Sequence, residues 1–205
     1  HYLPHSLWTA MAEFAAGNSV FARLNALMLG MDASSKLRRA DLRIQEMESG
    51  GVDISVLSLP PPGVQFGRRE LACRTASRAN DELIAAAEAS ARRFCVLAAV
   101  PLPYSQEAVA ELDRVARHPL VRGVGLMTNS AEWTLDDPRF EDFYAHSAEL
   151  GFPVVLHPAL EELPPAYGQW GLAAGLAPMI SSSLAALRMM LSGMLDRVPR
   201  LVPIV

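Results

Sequence analysis

The sequence predicts an α/β protein built on a parallel sheet, and three observations carry that prediction. From residue 40 onward, short apolar runs alternate with longer segments of helical period. The connections between them are mostly short turns marked by glycine and proline. The runs are also apolar on consecutive positions, as in Val154-Val155-Leu156, which suits strands covered on both faces. Periodicity alone leaves a closed barrel and an open doubly wound sheet both standing. No G-x-G-x-x-G follows an early strand, which weakens the dinucleotide-binding version of the open sheet. No internal repeat or linker divides the chain.

Taken in order, residues 1–8 read as the exit of a first strand into a loop. Residues 9–39 have no clear pattern beyond a short helix expected at 18–29. Leu42, Ile44 and Met47 form a helical stripe that Gly50-Gly51 ends. Residues 52–59 read as a strand closed by Pro60-Pro61-Pro62-Gly63, and residues 69–92 as a long helix with Leu71, Thr75, Ala79 and Leu83 on one face. A strand at 94–100 follows, then a helix from Ser105 to Ala116 with Ala108, Leu112 and Val115 inward. Residues 123–127 are the next strand. Asp137-Pro138 has the N-cap and N1 pattern of a helix start. Gly151 stops that helix, and residues 152–157 form a strand delivering His157 to its carboxyl end. Residues 160–178 read as a long proline- and glycine-rich loop. Ser181 to Ser183 then cap an apolar helix reaching Arg197, greasy on nearly all sides and so buried or at a subunit contact. Residues 201–205 read as an unfinished strand.

The composition excludes several classes. The chain has 205 residues, 51% hydrophobic and 20% charged, as in ordinary globular proteins. Its net charge of −4, without a large Lys/Arg cluster, argues against nucleic acid or an anionic membrane as main partner. No apolar run approaches the ~18–20 residues that span a bilayer. The first residues show no signal-peptide pattern, and Cys73 and Cys95 form no metal-type pair. Buried free thiols in a reducing cytoplasm are the expectation. The absence of an initiator Met and the apolar end at Val205 suggest a fragment cut at both ends.

Chemistry is expected where strands end. His1, Ser58, Asn129 and His157 all fall at or just past strand ends, which in a closed barrel converge on one mouth. Two histidines at one mouth begin a metal site, but a catalytic zinc has three protein ligands plus water, and no third is obvious. His5 reads as a surface residue, His118 as structural at a helix C-terminus and His146 as solvated. Asp136 and Asp137 read as helix-start residues. Tyr167 and Trp170, in the long loop, are weaker pocket candidates.

Across almost the whole chain, apart from residues 9–39, these pieces resemble one family in its order. They are His1-Tyr2-Leu3-Pro4; Arg43-Ile44-Gln45-Glu46-Met47 running to Gly51-Val52-Asp53-Ile54-Ser55-Val56-Leu57-Ser58; Asn80-Asp81; and Leu97-Ala98-Ala99-Val100-Pro101-Leu102. Gly123-Val124-Gly125 with Asn129 and Glu132-Trp133, Val155-Leu156-His157-Pro158, Ser192-Gly193-Met194 and Pro199-Arg200-Leu201 continue the series. The chain is similar to the aminocarboxymuconate-semialdehyde decarboxylase family of the amidohydrolase superfamily.

The resemblance implies an incomplete (β/α)8 barrel, about its first five to six strand–helix units, as one domain over residues 1–205. It implies that His1 is the second histidine of a His-x-His pair and that His157 is the metal-binding histidine after strand five. A catalytic histidine after strand six and a metal-binding aspartate after strand eight belong to the family pattern and fall beyond these residues. It further implies a divalent metal, zinc first and manganese second, and a small carboxylated, aromatic-derived substrate. Trp133, Asn129 and Arg43 are the substrate-binding candidates, with packing over the barrel rim the alternative for Trp133 and a helix-surface salt bridge the alternative for Arg43. The expected activity is decarboxylation; hydrolytic opening of a lactone or related ring is the rival, and a non-catalytic piece or interaction module the third reading. A homodimer is the expected assembly of the parent protein.

Overall fold

The computed structural model describes residues 1–15, 37–66, 68–130, 133–159, 170 and 172–205. The expected helix at 18–29, most of the long loop with Tyr167, and Glu132 lie outside the described residues. Among the described residues five parallel strands form the main sheet: β1 (Ser55–Leu57), β2 (Phe94–Ala99), β3 (Val121–Met127), β6 (Val154–His157) and β7 (Pro203–Ile204). A two-residue antiparallel pair, β4 (Asn129–Ser130) and β5 (Trp133–Thr134), projects after β3. The order in the main sheet is β1-β2-β3-β6-β7, so every strand lies beside its predecessor. A doubly wound sheet would reverse direction at a switch point. The observed order is that of a barrel, and the alternative left standing by periodicity is thereby removed.

Among the described residues the α-helices are α1 (His5–Ala15), α2 (Ala40–Ser49), α3 (Arg69–Glu88), α4 (Ser105–Ala116), α5 (Glu141–Glu149), α6 (Leu172–Leu191) and α7 (Met194–Arg197). Strand and helix sides of the core meet through Val96, Ala98, Val124, Leu126, Val154 and Leu156, packed with Leu83, Leu112, Phe140 and Phe143. The intervening strand residues point the other way. Leu97, Gly125, Met127, Val155 and His157 line a small internal cavity of about 40 Å³. His157 is therefore on the inner face, at the carboxyl end of its strand.

Four expectations need correction. Residues 5–15 are helical, where a loop was expected up to residue 8 and no clear pattern beyond it. The first turn of α1 has no acidic residue of its own; Glu82 of α3 accepts the backbone N–H groups of His5 and Ser6, at 2.5 and 2.9 Å. A carboxylate there satisfies orphan donors and favours the helix dipole. The long helix at 69–92 stops at Glu88, because Ala91 and Arg92 turn into positive φ. The expected loop at 160–178 gives way to α6 at Leu172, and Pro178 lies inside that helix. Alanine and leucine favour helix strongly enough to carry one proline. Gly193, left-handed at φ +74°, separates α6 from α7, so the single helix expected to Arg197 is two. Asp137 caps as expected, its side chain accepting the Arg139 N–H at 3.0 Å.

Candidate metal centre

The site begins with the four residues before α1, which are tied down by neighbours far along the chain. The Tyr2 N–H donates to the Ser58 carbonyl at 2.8 Å, and the Leu3 N–H to the Leu37 carbonyl at 2.7 Å. The Arg43 guanidinium, from α2, donates to the His1 carbonyl. His1 is thus held at the end of β1, and its Nδ1 lies 3.1 Å from the Ser58 hydroxyl. Opposite it, His157 ends β6, paired in register with Met127 at the end of β3. The two imidazoles meet edge to face with centroids 4.5 Å apart, and their Nε2 atoms are separated by 2.9 Å.

The protonation pattern follows from the partners. His157 Nδ1 is 2.8 Å from the Pro158 carbonyl, which can only accept, so Nδ1 carries the proton. In the neutral ring this leaves a lone pair on Nε2, directed at His1. His1 Nε2–H then supplies the proton of the 2.9 Å contact, and the Ser58 hydroxyl donates to His1 Nδ1. Burial holds the His157 imidazole below its ordinary pKa, against the opposing pull of the Pro158 carbonyl. The neutral state is the one that ligates a metal.

This donor set fits two ligands of one divalent ion. Ligating histidines typically fix their tautomer by donating the second ring N–H to a carbonyl or similar group, as His157 does. A metal–nitrogen distance of about 2.0–2.1 Å would set the two nitrogens about 3–4 Å apart in a tetrahedral site. The observed 2.9 Å is slightly shorter, as a shared proton requires. An ion in place of that proton needs only that His1 pass its proton to Nδ1, where Ser58 can accept it. Among the described residues no third His, Cys, Asp or Glu joins the pair.

The remaining predicted residues are placed as follows. Arg43 reaches the backbone of His1. Trp133 stands in β5 with the Arg139 guanidinium 3.2 Å over its ring. The Asn129 backbone pairs with Thr134, and its side chain lies outside the described residues. Trp170 is largely exposed. His118 pairs with Glu88 at 3.0 Å and His146 with Asp113 at 2.7 Å, away from the pair at the mouth. Asp136 binds Arg188 through both oxygens. Cys73 and Cys95 are free and half-buried, so the expectation of fully buried thiols is corrected.

Sequence reasoning missed Gln65. It is 8% exposed and lines the cavity below His157, and its Oε1 accepts the Met127 N–H at 2.5 Å. Gly63 beside it has φ +66°, and a Cβ there would sit 3.0 Å from Met127 Cγ. The Gly63-Val64-Gln65 sequence after three prolines was the available signal: a backbone approach needing glycine, and a lone amide among apolar residues.

Residues 38–205 match the family model described as Amidohydrolase. The chain belongs to the amidohydrolase family. Among curated relatives of this amidohydrolase, a gamma-resorcylate decarboxylase from Rhizobium radiobacter is 31% identical over 174 residues, covering 78% of this chain and 53% of the relative. A 2-amino-3-carboxymuconate-6-semialdehyde decarboxylase from Dictyostelium discoideum is 28% identical over 170 residues, covering 78% and 45%. The chain therefore spans about half the length of the curated relatives it matches. The solved dihydroxybenzoic acid decarboxylase from Polaromonas, with bound manganese and the inhibitor 2-nitroresorcinol, superposes with a TM-score of 0.77 at 26% identity. The match covers 99% of this chain and 62% of that one. The expected resemblance, the barrel fold and a divalent metal in the relatives are all supported. No described helix is long and apolar enough to cross a membrane.

Proposed function

We propose that this amidohydrolase chain carries part of the centre of a metal-dependent decarboxylase acting on a small aromatic carboxylate, with His1 and His157 as two metal ligands. The observation that carries the reading is the convergence of the two Nε2 atoms to 2.9 Å, each ring anchored through its other nitrogen. The names of the relatives, decarboxylases of aromatic or related acids, support the substrate class. When bound, a divalent ion supplies Lewis-acid stabilisation of substrate oxygens. The chain's own residues do the rest. Ser58 and the Pro158 carbonyl orient the imidazoles, and the apolar inner face restricts water beneath them. Arg43, Trp133 and Asn129 belong to the substrate end in this reading: Arg43 through its hold on the His1 backbone, the other two through the β4–β5 pair that follows β3.

Two imidazoles favour zinc first and accept manganese. The half-buried thiols support a reducing, cytoplasmic setting. The exposed apolar side chains of α6, Leu184, Leu187 and Leu191, support a homodimer contact of the parent protein. The net charge of −4 supports a small-molecule partner rather than nucleic acid or membrane.

The test uses the full-length protein carrying these residues. His157→Ala is expected to abolish both bound metal, measured after dialysis, and carbon dioxide release from a dihydroxybenzoate. His118→Ala is expected to leave both unchanged. Full metal occupancy in His157→Ala would show that the wrong histidine was chosen. Product with water added and no carbon dioxide would replace decarboxylation by ring-opening hydrolysis.

A further inference from the structure

A buried hydroxyl pair lies directly behind His157. Thr128, the residue after β3, is 5% exposed, and Ser181, in the middle of α6, is 2% exposed. Their oxygens are 2.5 Å apart. Thr128 also grips the turn after β6 on both sides of Pro158. Its N–H donates to the His157 carbonyl at 2.8 Å, and its Oγ1 accepts the Ala159 N–H at 2.9 Å. Pro158 has no N–H with which to fix that turn itself. Yet the Pro158 carbonyl is the group that receives the His157 Nδ1 proton.

Resting on the metal-ligand reading of His157, we propose that Thr128 and Ser181 are positioning residues for the His157 imidazole. Thr128 brackets the Pro158 peptide, Ser181 fixes the Thr128 hydroxyl, and the Pro158 carbonyl so placed sets both the tautomer and the direction of Nε2. The hydroxyl pair is a hydrogen-bonded relay from α6, through the end of β3, to the ligand on β6. A valine at 128 has the shape of threonine but neither accepts from Ala159 nor bonds Ser181. A serine at 128 keeps both bonds.

The test measures zinc affinity of the full-length protein by competition with a chromophoric chelator. Thr128→Val is expected to weaken zinc binding by about 10-fold or more, the usual effect of losing a group that orients a metal ligand. Ser181→Ala should fall between wild type and Thr128→Val, and Thr128→Ser should restore near-native affinity. Ser147→Ala is the structural control. Its hydroxyl is fully buried and donates to the Phe152 carbonyl at 3.0 Å, at the opposite end of β6. That variant should lower the melting temperature without changing zinc affinity. Thr128→Val weakening zinc no more than Ser147→Ala, or Thr128→Ser failing to restore it, would overturn the proposal. Nitrogen-15 NMR of the metal-free imidazole provides the second readout. Wild type should show the Nδ1–H tautomer of His157, and Thr128→Val a mixture; an unchanged tautomer in Thr128→Val overturns the relay. Failure of the wild type to bind zinc sinks the metal reading alone, and the NMR result still decides the relay.

Discussion

Replacing Asn80 by leucine should cost this fold about 3 kcal/mol. Asn80 lies on α3, is 1% exposed, and makes three hydrogen bonds within reach of the sheet. Its Oδ1 accepts the Ala99 N–H at 2.8 Å, and its Nδ2 donates to the Ala99 carbonyl at 2.8 Å and to Glu111 at 2.7 Å. Pairing between β1 and β2 ends at Leu57 and Val96, three residues before Ala99. The asparagine amide thus stands in for a strand partner that the short β1 does not supply. Leucine has nearly the same shape and offers neither donor nor acceptor. The buried Ala99 N–H and carbonyl are then orphaned, at about 1–3 kcal/mol each, while Glu111 keeps its two bonds from Arg114. The sum is about 2–6 kcal/mol, and partial relaxation or water entry puts the expected value near the lower half. That is a large share of a typical stability of about 5–15 kcal/mol. Urea denaturation followed by circular dichroism measures it, with Ser90→Ala as comparison. The Ser90 hydroxyl, just past the end of α3, donates to the Ala86 carbonyl of that helix, and its loss should cost about 1 kcal/mol or less. An Asn80→Leu midpoint within about 1 kcal/mol of wild type would refute the claim that the amide substitutes for a strand.

Asp136→Asn should lower stability by roughly 0.5–1 kcal/mol at neutral pH, the Arg188 side chain being partly exposed and the pair screened. Burial raises the Asp136 carboxyl, but the bonds from Arg188 and Thr134 outweigh it and hold its pKa below the ordinary value. The stabilisation is therefore present above about pH 4 and lost as pH falls through the depressed value, so wild type and variant should converge in acid melts; a gap that persists there would refute the assignment. Gly123→Ala should be far more damaging than Gly125→Ala in thermal melts. A Cβ at 123 would meet the carbonyl oxygen of Pro153, the residue just before β6, at 2.7 Å, whereas at 125 it would touch only Leu97 at 3.6 Å. Equal losses at the two positions would contradict the packing described for β3. The 205-residue polypeptide should self-associate in size-exclusion chromatography, because Ile54 and Val56 beside one sheet edge and Ile204 and Val205 at the other are exposed. A cooperatively melting monomer would count against that.

The strands were legible because burial on both faces leaves a mark in a single short window: β2, β3 and β6 all fall within the expected runs to a residue or two. Helix starts were legible where the cap is local, as at Asp137, and invisible where it is remote. The N-terminus of α1 is satisfied by Glu82, more than seventy residues away, so no local cap marks its start, although Leu7, Ala10, Met11 and Phe14 carry the helical period. Ser181 shows the opposite error. A serine run before an apolar stretch reads as a cap, but its hydroxyl is spent on Thr128 in mid-helix. In the site, the histidines were legible from their position at strand ends. Their supports were less so, because Arg43, Pro158 and Gln65 act on or through backbone atoms, and backbone partners carry no residue code.

The dimensions of the mouth constrain where a substrate ring can lie. Five supports converge on it. Tyr2 and Ser58 join the amino-terminal segment to β1, Arg43 joins it to α2, Gln65 joins the loop after β1 to β3, and Thr128 joins β3 to β6. The cavity lined by Ser58, Gln65 and His157 is about 40 Å³, against about 150 Å³ for an engineered protein cavity that admits benzene. It accommodates a water, not an aromatic acid. In the proposed reading, a ring bound at this centre would therefore sit on the outer side of the His1–His157 pair, toward the loops that follow the strands. Nε2 lone-pair direction then matters more than pocket volume. His1 and His157 would hold the ion of the proposed reading, and their anchors at Ser58 and Pro158 would keep the two imidazoles from turning away. The Nδ1 atoms of His1 and His157 are bonded to the Ser58 hydroxyl and the Pro158 carbonyl, which leaves the two Nε2 atoms facing each other.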